Sequence, residues 1–325
     1  MVAADGLLAA APRQGRLTLM RMIDGSTVWE RDLRGEPVDS IWMSADRVIT
    51  ADAACQRVHL FDRADGRLVN RVLFHSAEGG SQPIVRLVRT AGMIVGPEAS
   101  GASRGVVAVD DALGDVVWRV ALDKPPVQLF QPKEGYVGIG LGQGMVRIVD
   151  ANSGETVLER QVSGAYDVTG GVLFDGLLVL RVDAIRGQKP ASPGAPGSAQ
   201  LTALDIATGE EVWRREDISS LPDSDPGAPG LRIEDGVIPA LVEKMQAEVT
   251  PSGVATPSMR SALVLIDART GRNLGVGADL TSTGMGGRFT GDVVMRPGAV
   301  IVGTQRTVNA YRAKTAERDG TGKSH

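Results

Sequence analysis

Residues 203–213 read ALDIATGEEVW, and the same phrase returns, more or less worn, along the whole chain. With Asp205 as anchor, copies fall at Arg21, Asp62, Asp110, Asp150, Asp205, Asp267 and Arg312, spaced by 41, 48, 40, 55, 62 and 45 residues. A glycine follows each of the first six anchors by four residues: Gly25, Gly66, Gly114, Gly154, Gly209 and Gly271. Four further on stand Trp29, Asn70, Trp118, Leu158, Trp213 and Gly275, so three of the four tryptophans occupy one repeat position. A period near 40 is the length of a four-stranded propeller blade, and the longer intervals read as that unit plus insertions.

Each part of the phrase has a mechanical reason. The segments before the anchors, such as LTAL (201–204) and MVRIV (145–149), are short and aliphatic, as strands are. An aspartate closes a turn by accepting hydrogen bonds from backbone amides two residues on. Glycine accepts the left-handed conformation at the end of that turn. VVWRV and EVWRR then begin the return strand. Two more strand-like segments precede each hairpin: SIWMS and RVITADA before Asp62, VQLFQPK and GYVGIGLG before Asp150. The unit is therefore four antiparallel strands, with no amphipathic helix between units, and the expected fold is an all-β propeller of seven four-stranded blades.

The phrase A-x-D-x-x-x-G-x-x-x-W, best kept at 203–213 and 108–118, resembles the repeat of the PQQ-like (pyrroloquinoline quinone-like) β-propeller family. That family includes quinoprotein dehydrogenases and BamB-like scaffolds of outer-membrane assembly. The resemblance implies that Trp29, Trp118 and Trp213 dock between blades. Asn70, Leu158 and Gly275 depart from the pattern and imply weaker contacts.

The ends of the chain raise a separate expectation. The first unit reads as lacking its first strand, and the last, GDVVMRPGAVIVGTQRTVNAYRAK, as lacking its fourth. One upstream segment supplying both strands would make an eighth blade; without it the chain is one seven-bladed domain over residues 1–312. Residues 313–325, polar and glycine-containing, read as a disordered tail. Long loops are expected at 183–200, 218–230 and 247–260, with a shorter one at 97–105, all on the side of the sheets opposite the Asp-x-x-x-Gly hairpins. Loops on a rigid scaffold are common binding sites.

The residue inventory offers little for catalysis. The chain has 325 residues, 42% of them hydrophobic and 23% charged, with a net charge of −4. No global basic field favours nucleic acid, and no apolar run suits membrane insertion. A single cysteine, Cys55, forbids the vicinal disulfide of quinoprotein dehydrogenases. His59, His75 and His325 are scattered, so no zinc site is expected. DSDPG (223–227) reads as a turn rather than a calcium loop, and the glycines of GIGLGQG (138–144) lack the helix and lysine of a phosphate cradle. No catalytic, metal or cofactor residue is assigned, and no cofactor is expected. The residues that can be named are structural: Trp29, Asp62, Gly66, Asp110, Gly114, Trp118, Asp150, Gly154, Asp205, Gly209, Trp213, Asp267 and Gly271. The expected function is a non-catalytic scaffold that binds protein partners through one face or its rim. The alternative is a quinoprotein-type oxidoreductase or redox accessory. Family resemblance points to the periplasm or cell envelope, although no export signal is visible at the N-terminus.

Overall fold

A computed structural model describes residues 1–11, 15–36, 38–52, 57–74, 85–100, 103–164, 166–184, 199–218, 231–249, 255–280, 292–296, 299–303 and 308–312. Every regular element among them is a strand. The first sheet is β1 (Val2–Ala4), β2 (Leu7–Ala10), β3 (Arg16–Arg21) and β4 (Thr27–Asp32). The second is β5 (Ser40–Met43), β6 (Arg47–Ala51), β7 (Arg57–Asp62) and β8 (Leu68–Leu73). The third is β9 (Val88–Thr90), β10 (Met93–Ser100), β11 (Ser103–Asp110) and β12 (Val116–Ala121). The fourth is β13 (Gln128–Phe130), β14 (Tyr136–Gly140), β15 (Met145–Asp150) and β16 (Thr156–Gln161). The fifth is β17 (Tyr166–Phe174), β18 (Leu177–Ala184), β19 (Ala199–Asp205) and β20 (Glu211–Ile218). The sixth is β21 (Val237–Val249), β22 (Ala255–Asp267) and β23 (Asn273–Leu280), and the seventh β24 (Asp292–Arg296), β25 (Ala299–Gly303) and β26 (Val308–Arg312). Strands lie in each sheet in chain order, the meander of a propeller blade, and the seven described sheets match the seven copies of the sequence phrase.

The chain divides into two compact units. One comprises Met1–Leu173 with Val182–Arg186 and Ile206–Glu210; the other comprises Phe174–Arg181, Gly187–Asp205 and Glu211–His325. In the first unit, alternation along a strand distributes the second and third sheets between two cores each. Val48 and Phe61 pack with Leu19 and Trp29 of the first sheet, whereas their neighbours Ile49 and Leu60 pack with Ile94 and Val107 of the third. Val106 and Ala108 turn the other way, toward Ile139 and Val149 of the fourth sheet. Because side chains alternate across the pleat, a sheet covered on both faces needs near-continuous apolar strands, which is why VVAV and MVRIV contain so few polar residues.

Several sequence expectations are corrected. The first sheet has its first strand: β1, three residues paired Val2↔Ala9, Ala3↔Leu8 and Ala4↔Leu7, turning through Asp5 and Gly6. A strand that short carries no legible alternation. Two of the expected loops are prolonged hairpins. β10 and β11 stay in register from Met93↔Asp110 to Ser100↔Ser103, and β21 and β22 from Val237↔Asp267 to Val249↔Ala255. The sixth sheet has three strands among the described residues, with a single bridge, Glu234↔Val237, ahead of β21. The 183–200 and 218–230 loops lie outside the described residues except at their ends, as do Cys55, His75, DSDPG and 313–325.

Candidate functional site

The repeated hairpin is built by its own residues. The anchor carboxylate accepts backbone N–H bonds: Asp62 from Ala64, Asp110 from Ala112, Leu113 and Asp115, Asp150 from Asn152 and Ser153, and Asp267 from Arg269 and Thr270. These donors, Ser153 N–H first, hold the Asp150 carboxyl below the usual carboxylate range. The glycine four residues on donates to the anchor carbonyl at 2.8–3.0 Å in the hairpins of Asp62, Asp110, Asp150 and Asp267. Asp205 closes β19 in the same way in sequence, and Gly209 takes the same left-handed φ, +71°. A register shift recurs just before the anchor in each of these hairpins, as between Ile148 and Val149.

The residue after the anchor is a node. Its N–H donates within its own sheet to the first hairpin turn: Arg63 to Asp46, Asp111 to Gly92, Ala151 to Gly135 and Ala268 to Gly236, all at 2.8–2.9 Å. Its C=O accepts from the indole of the preceding sheet: Trp29 to Arg63 at 2.9 Å, Trp118 to Ala151 at 2.7 Å and Trp213 to Ala268 at 3.0 Å. The same indole lies flat where the motif glycine lacks a side chain. A Cβ added at Gly66, Gly154 or Gly271 would meet the ring of Trp29, Trp118 or Trp213 at 2.6–2.8 Å. The motif glycine thus serves twice, for a left-handed turn and as the floor under a neighbour's tryptophan.

Where the tryptophan is replaced, the junction is remade differently. Asn70 donates from Nδ2 to the Leu113 carbonyl at 2.6 Å, so this departure keeps a polar link to the next hairpin. Leu158 approaches the Cβ position of Gly209 at 3.0 Å, giving an apolar contact. Arginines two residues past a tryptophan, on the same side of the strand, also join the sheets, although nothing in the repeat phrase marks them. Arg31 donates to the carbonyls of Gly66 and Asp65, and Arg215 to that of Gly271. The W-x-R spacing was the available signal.

The glycines of GIGLGQG are explained by packing. A Cβ at Gly138 would meet the Phe130 ring at 2.2 Å, and one at Gly140 the Val168 carbonyl at 2.3 Å.

Between the first two sheets, where β4 and β8 are edge strands, lies a cleft of about 690 Å³. Arg31, Asp32, Leu33, Arg34, Glu36, His59, Phe61, Asp65, Arg67, Leu68 and Arg71 line it. His59 is buried, with Nε2 3.5 Å from a Glu36 oxygen. Burial pushes its imidazole below the usual histidine range; Arg71 and Arg57 push the same way and Glu36 opposes them. Among the described residues, no three histidine, cysteine, aspartate or glutamate side chains gather as a metal site.

Antiparallel four-stranded sheets joined by indole-on-glycine junctions define a PQQ-like β-propeller. The family model described as outer membrane protein assembly factor BamB matches residues 1–215 and 102–321, and the chain belongs to that family. BamB of Yersinia pestis is 22% identical over 218 residues, which are 64% of this chain and 53% of that protein, so the match spans about half of that relative. Among solved structures, BamB from Moraxella catarrhalis superposes with a TM-score of 0.60 at 17% identity, over 95% of this chain and 83% of that one. Quinohemoprotein alcohol dehydrogenase from Comamonas testosteroni superposes with a TM-score of 0.59 at 13% identity, over 96% and 64%. These likenesses concern the fold.

Proposed function

We propose that this chain is a protein-binding scaffold of cell-envelope assembly, engaging partners along the edge strands of its blades. Family membership supports the assembly role. The observation that carries the binding mode is a repeat position seven residues after the anchor, one before the tryptophan. It holds Val28, Val69, Val117, Val157, Val212 and Leu274. The last four are exposed by 45%, 45%, 50% and 57%. They lie on strands hydrogen-bonded within their sheet on one side only. Exposed edges carrying aliphatic side chains invite another chain to pair, and natural proteins usually blunt them with charge or proline. An aliphatic side chain at each of these four positions fits a surface used for pairing.

A photo-crosslinking residue at Val117 or Val157, expressed in the chain's native cells, is expected to trap a defined envelope protein. The same residue at Leu113, in a turn, is expected to trap none. Adducts at Leu113 alone would overturn the edge-strand reading. A tight, visible-absorbing complex with pyrroloquinoline quinone and calcium would replace the scaffold reading with the redox one.

A further inference from the structure

We propose that the cleft between the first two sheets binds an acidic, extended peptide segment of a protein partner. This rests on the scaffold reading and specifies the chemistry of one partner segment. The charges facing the cleft are unequally committed. Glu36 pairs with Arg57 and approaches His59, whereas Asp32 and Asp65 each accept only a backbone amide in their own turn, from Arg34 at 2.7 Å and Arg67 at 2.8 Å, and keep their charge at the cleft. Of the lining arginines, Arg31 is turned into the hairpin carbonyls of the second sheet. The guanidinium groups of Arg34, Arg67 and Arg71 have no carboxylate partner among the described residues. Four guanidinium groups line the cleft against three carboxylates, one of which, Glu36, is already paired with Arg57, in a molecule of net charge −4.

Guanidinium groups are weakly hydrated forks that match carboxylates, and three uncommitted ones at one cleft form a receptor for several anionic side chains. Arg34 sits in a left-handed turn, φ 56°, that follows β4 and is closed by the Glu36 N–H on the Leu33 carbonyl at 3.1 Å. The floor is apolar, made by buried Leu33 and Phe61, with Leu68 exposed at the mouth. The volume, about 690 Å³, exceeds what one phosphate fills and lies in the range of larger ligands. Edge strands β4 and β8 at the cleft offer unpaired backbone to an extended chain. An anion that alternates acidic and apolar side chains satisfies the arginines, the floor and the edge together.

The test is fluorescence anisotropy on the full chain with a labelled peptide of about eight alternating Glu and Val residues, about the length of a strand. A Lys-Val peptide and inorganic phosphate serve as comparators. The acidic peptide is expected to bind, and the basic one not. Affinity is expected to fall roughly tenfold for each of Arg67→Glu and Arg71→Glu, and to weaken with salt. Lys124→Glu, away from the cleft, is expected to leave it unchanged. Arg67→Ala with Arg71→Ala provides a milder variant should charge reversal disturb folding, judged by the thermal midpoint. Equal affinity of wild type and arginine variants overturns the proposal. So does millimolar phosphate displacing the peptide and binding with the same arginine dependence, which would mark a small-anion site. If crosslinks at Val117 persist in the arginine variants while the peptide never binds, the cleft proposal fails and the scaffold reading stands.

Discussion

The indole nitrogen of Trp118 donates to the carbonyl of Ala151 at 2.7 Å, and its ring lies where a Cβ on Gly154 would come within 2.8 Å. Two residues three apart on one hairpin thereby receive one side chain from the preceding sheet. The junction is polar at the nitrogen and apolar across the ring, and both halves can be tested.

Gly154→Ala adds two faults, a non-glycine residue at φ +74° and a collision with a buried ring. Gly25 has a comparable φ, +69°, and nothing within 4 Å of its Cβ position. Left-handed backbone alone costs about 1–2 kcal/mol, and overpacking a further ~1–3 kcal/mol. Denaturant unfolding is therefore expected to show Gly154→Ala less stable than Gly25→Ala by roughly 1–3 kcal/mol. Equal losses would mean that the ring contact contributes nothing.

Trp118→Phe retains a ring over Gly154 and removes the donor to Ala151. The buried carbonyl then lacks that partner, at a cost of about 1–3 kcal/mol. Trp118→Ala removes the ring as well, and about 3–5 kcal/mol is expected. The two variants, compared by urea midpoint, separate the hydrogen bond from the packing.

Asp150 has its carboxyl held low by amide donors of the turn. A carboxylate whose folded pKa lies below its unfolded value of about 3.8 contributes stability above that value. The contribution is lost as pH falls through the folded pKa. Asp150→Asn keeps an acceptor but does not ionise. The stability difference between wild type and Asp150→Asn is expected to be larger at neutral pH than in acid below 3.8. A pH-independent difference would contradict the assignment.

His59 shifts in the same direction for a different reason. Burial disfavours its charged form, so its folded pKa lies below the ordinary 6.5. The unfolded chain then binds the proton first, and this residue's share of stability is full above 6.5 and declines as pH falls below it toward the folded pKa. NMR titration is expected to place the His59 midpoint below 6.5, and His59→Gln to flatten the stability profile in that window. A midpoint above 6.5 would mean that Glu36, not burial, governs the imidazole.

The hairpins were legible because every bond that makes them is local. Asp150 reaches Asn152 and Ser153, and Gly154 reaches back to Asp150, so spacing alone encodes the geometry. The prolonged β10–β11 hairpin was not legible, since PEASGASRG has the composition of a loop. Pro97 is tolerated there because β9 pairs only with Met93–Val95, leaving β10 a partner on one side alone beyond that point. Asn70 departs from the repeat phrase, which implies a weaker junction, yet its amide finds the Leu113 carbonyl, a contact 43 residues away. The cleft was equally hidden: Arg34, Arg67 and Arg71 look like any exposed arginines until the partners of Asp32, Asp65 and Glu36 are known.

The sequence by itself determined the hairpin that ends each unit, closed by an aspartate and a left-handed glycine, because that turn is settled by hydrogen bonds spanning five residues or fewer. The tertiary structure alone decided that the same glycine is the floor for a distant indole, that its neighbour's peptide joins two hairpins and a neighbouring sheet, and which guanidinium groups are left over. The indole contacts span 33 to 55 residues, as for Trp118 with Ala151 and Trp213 with Ala268, and Glu36 meets Arg57 across 21. Local spacing carries no information about a partner that only packing brings within reach.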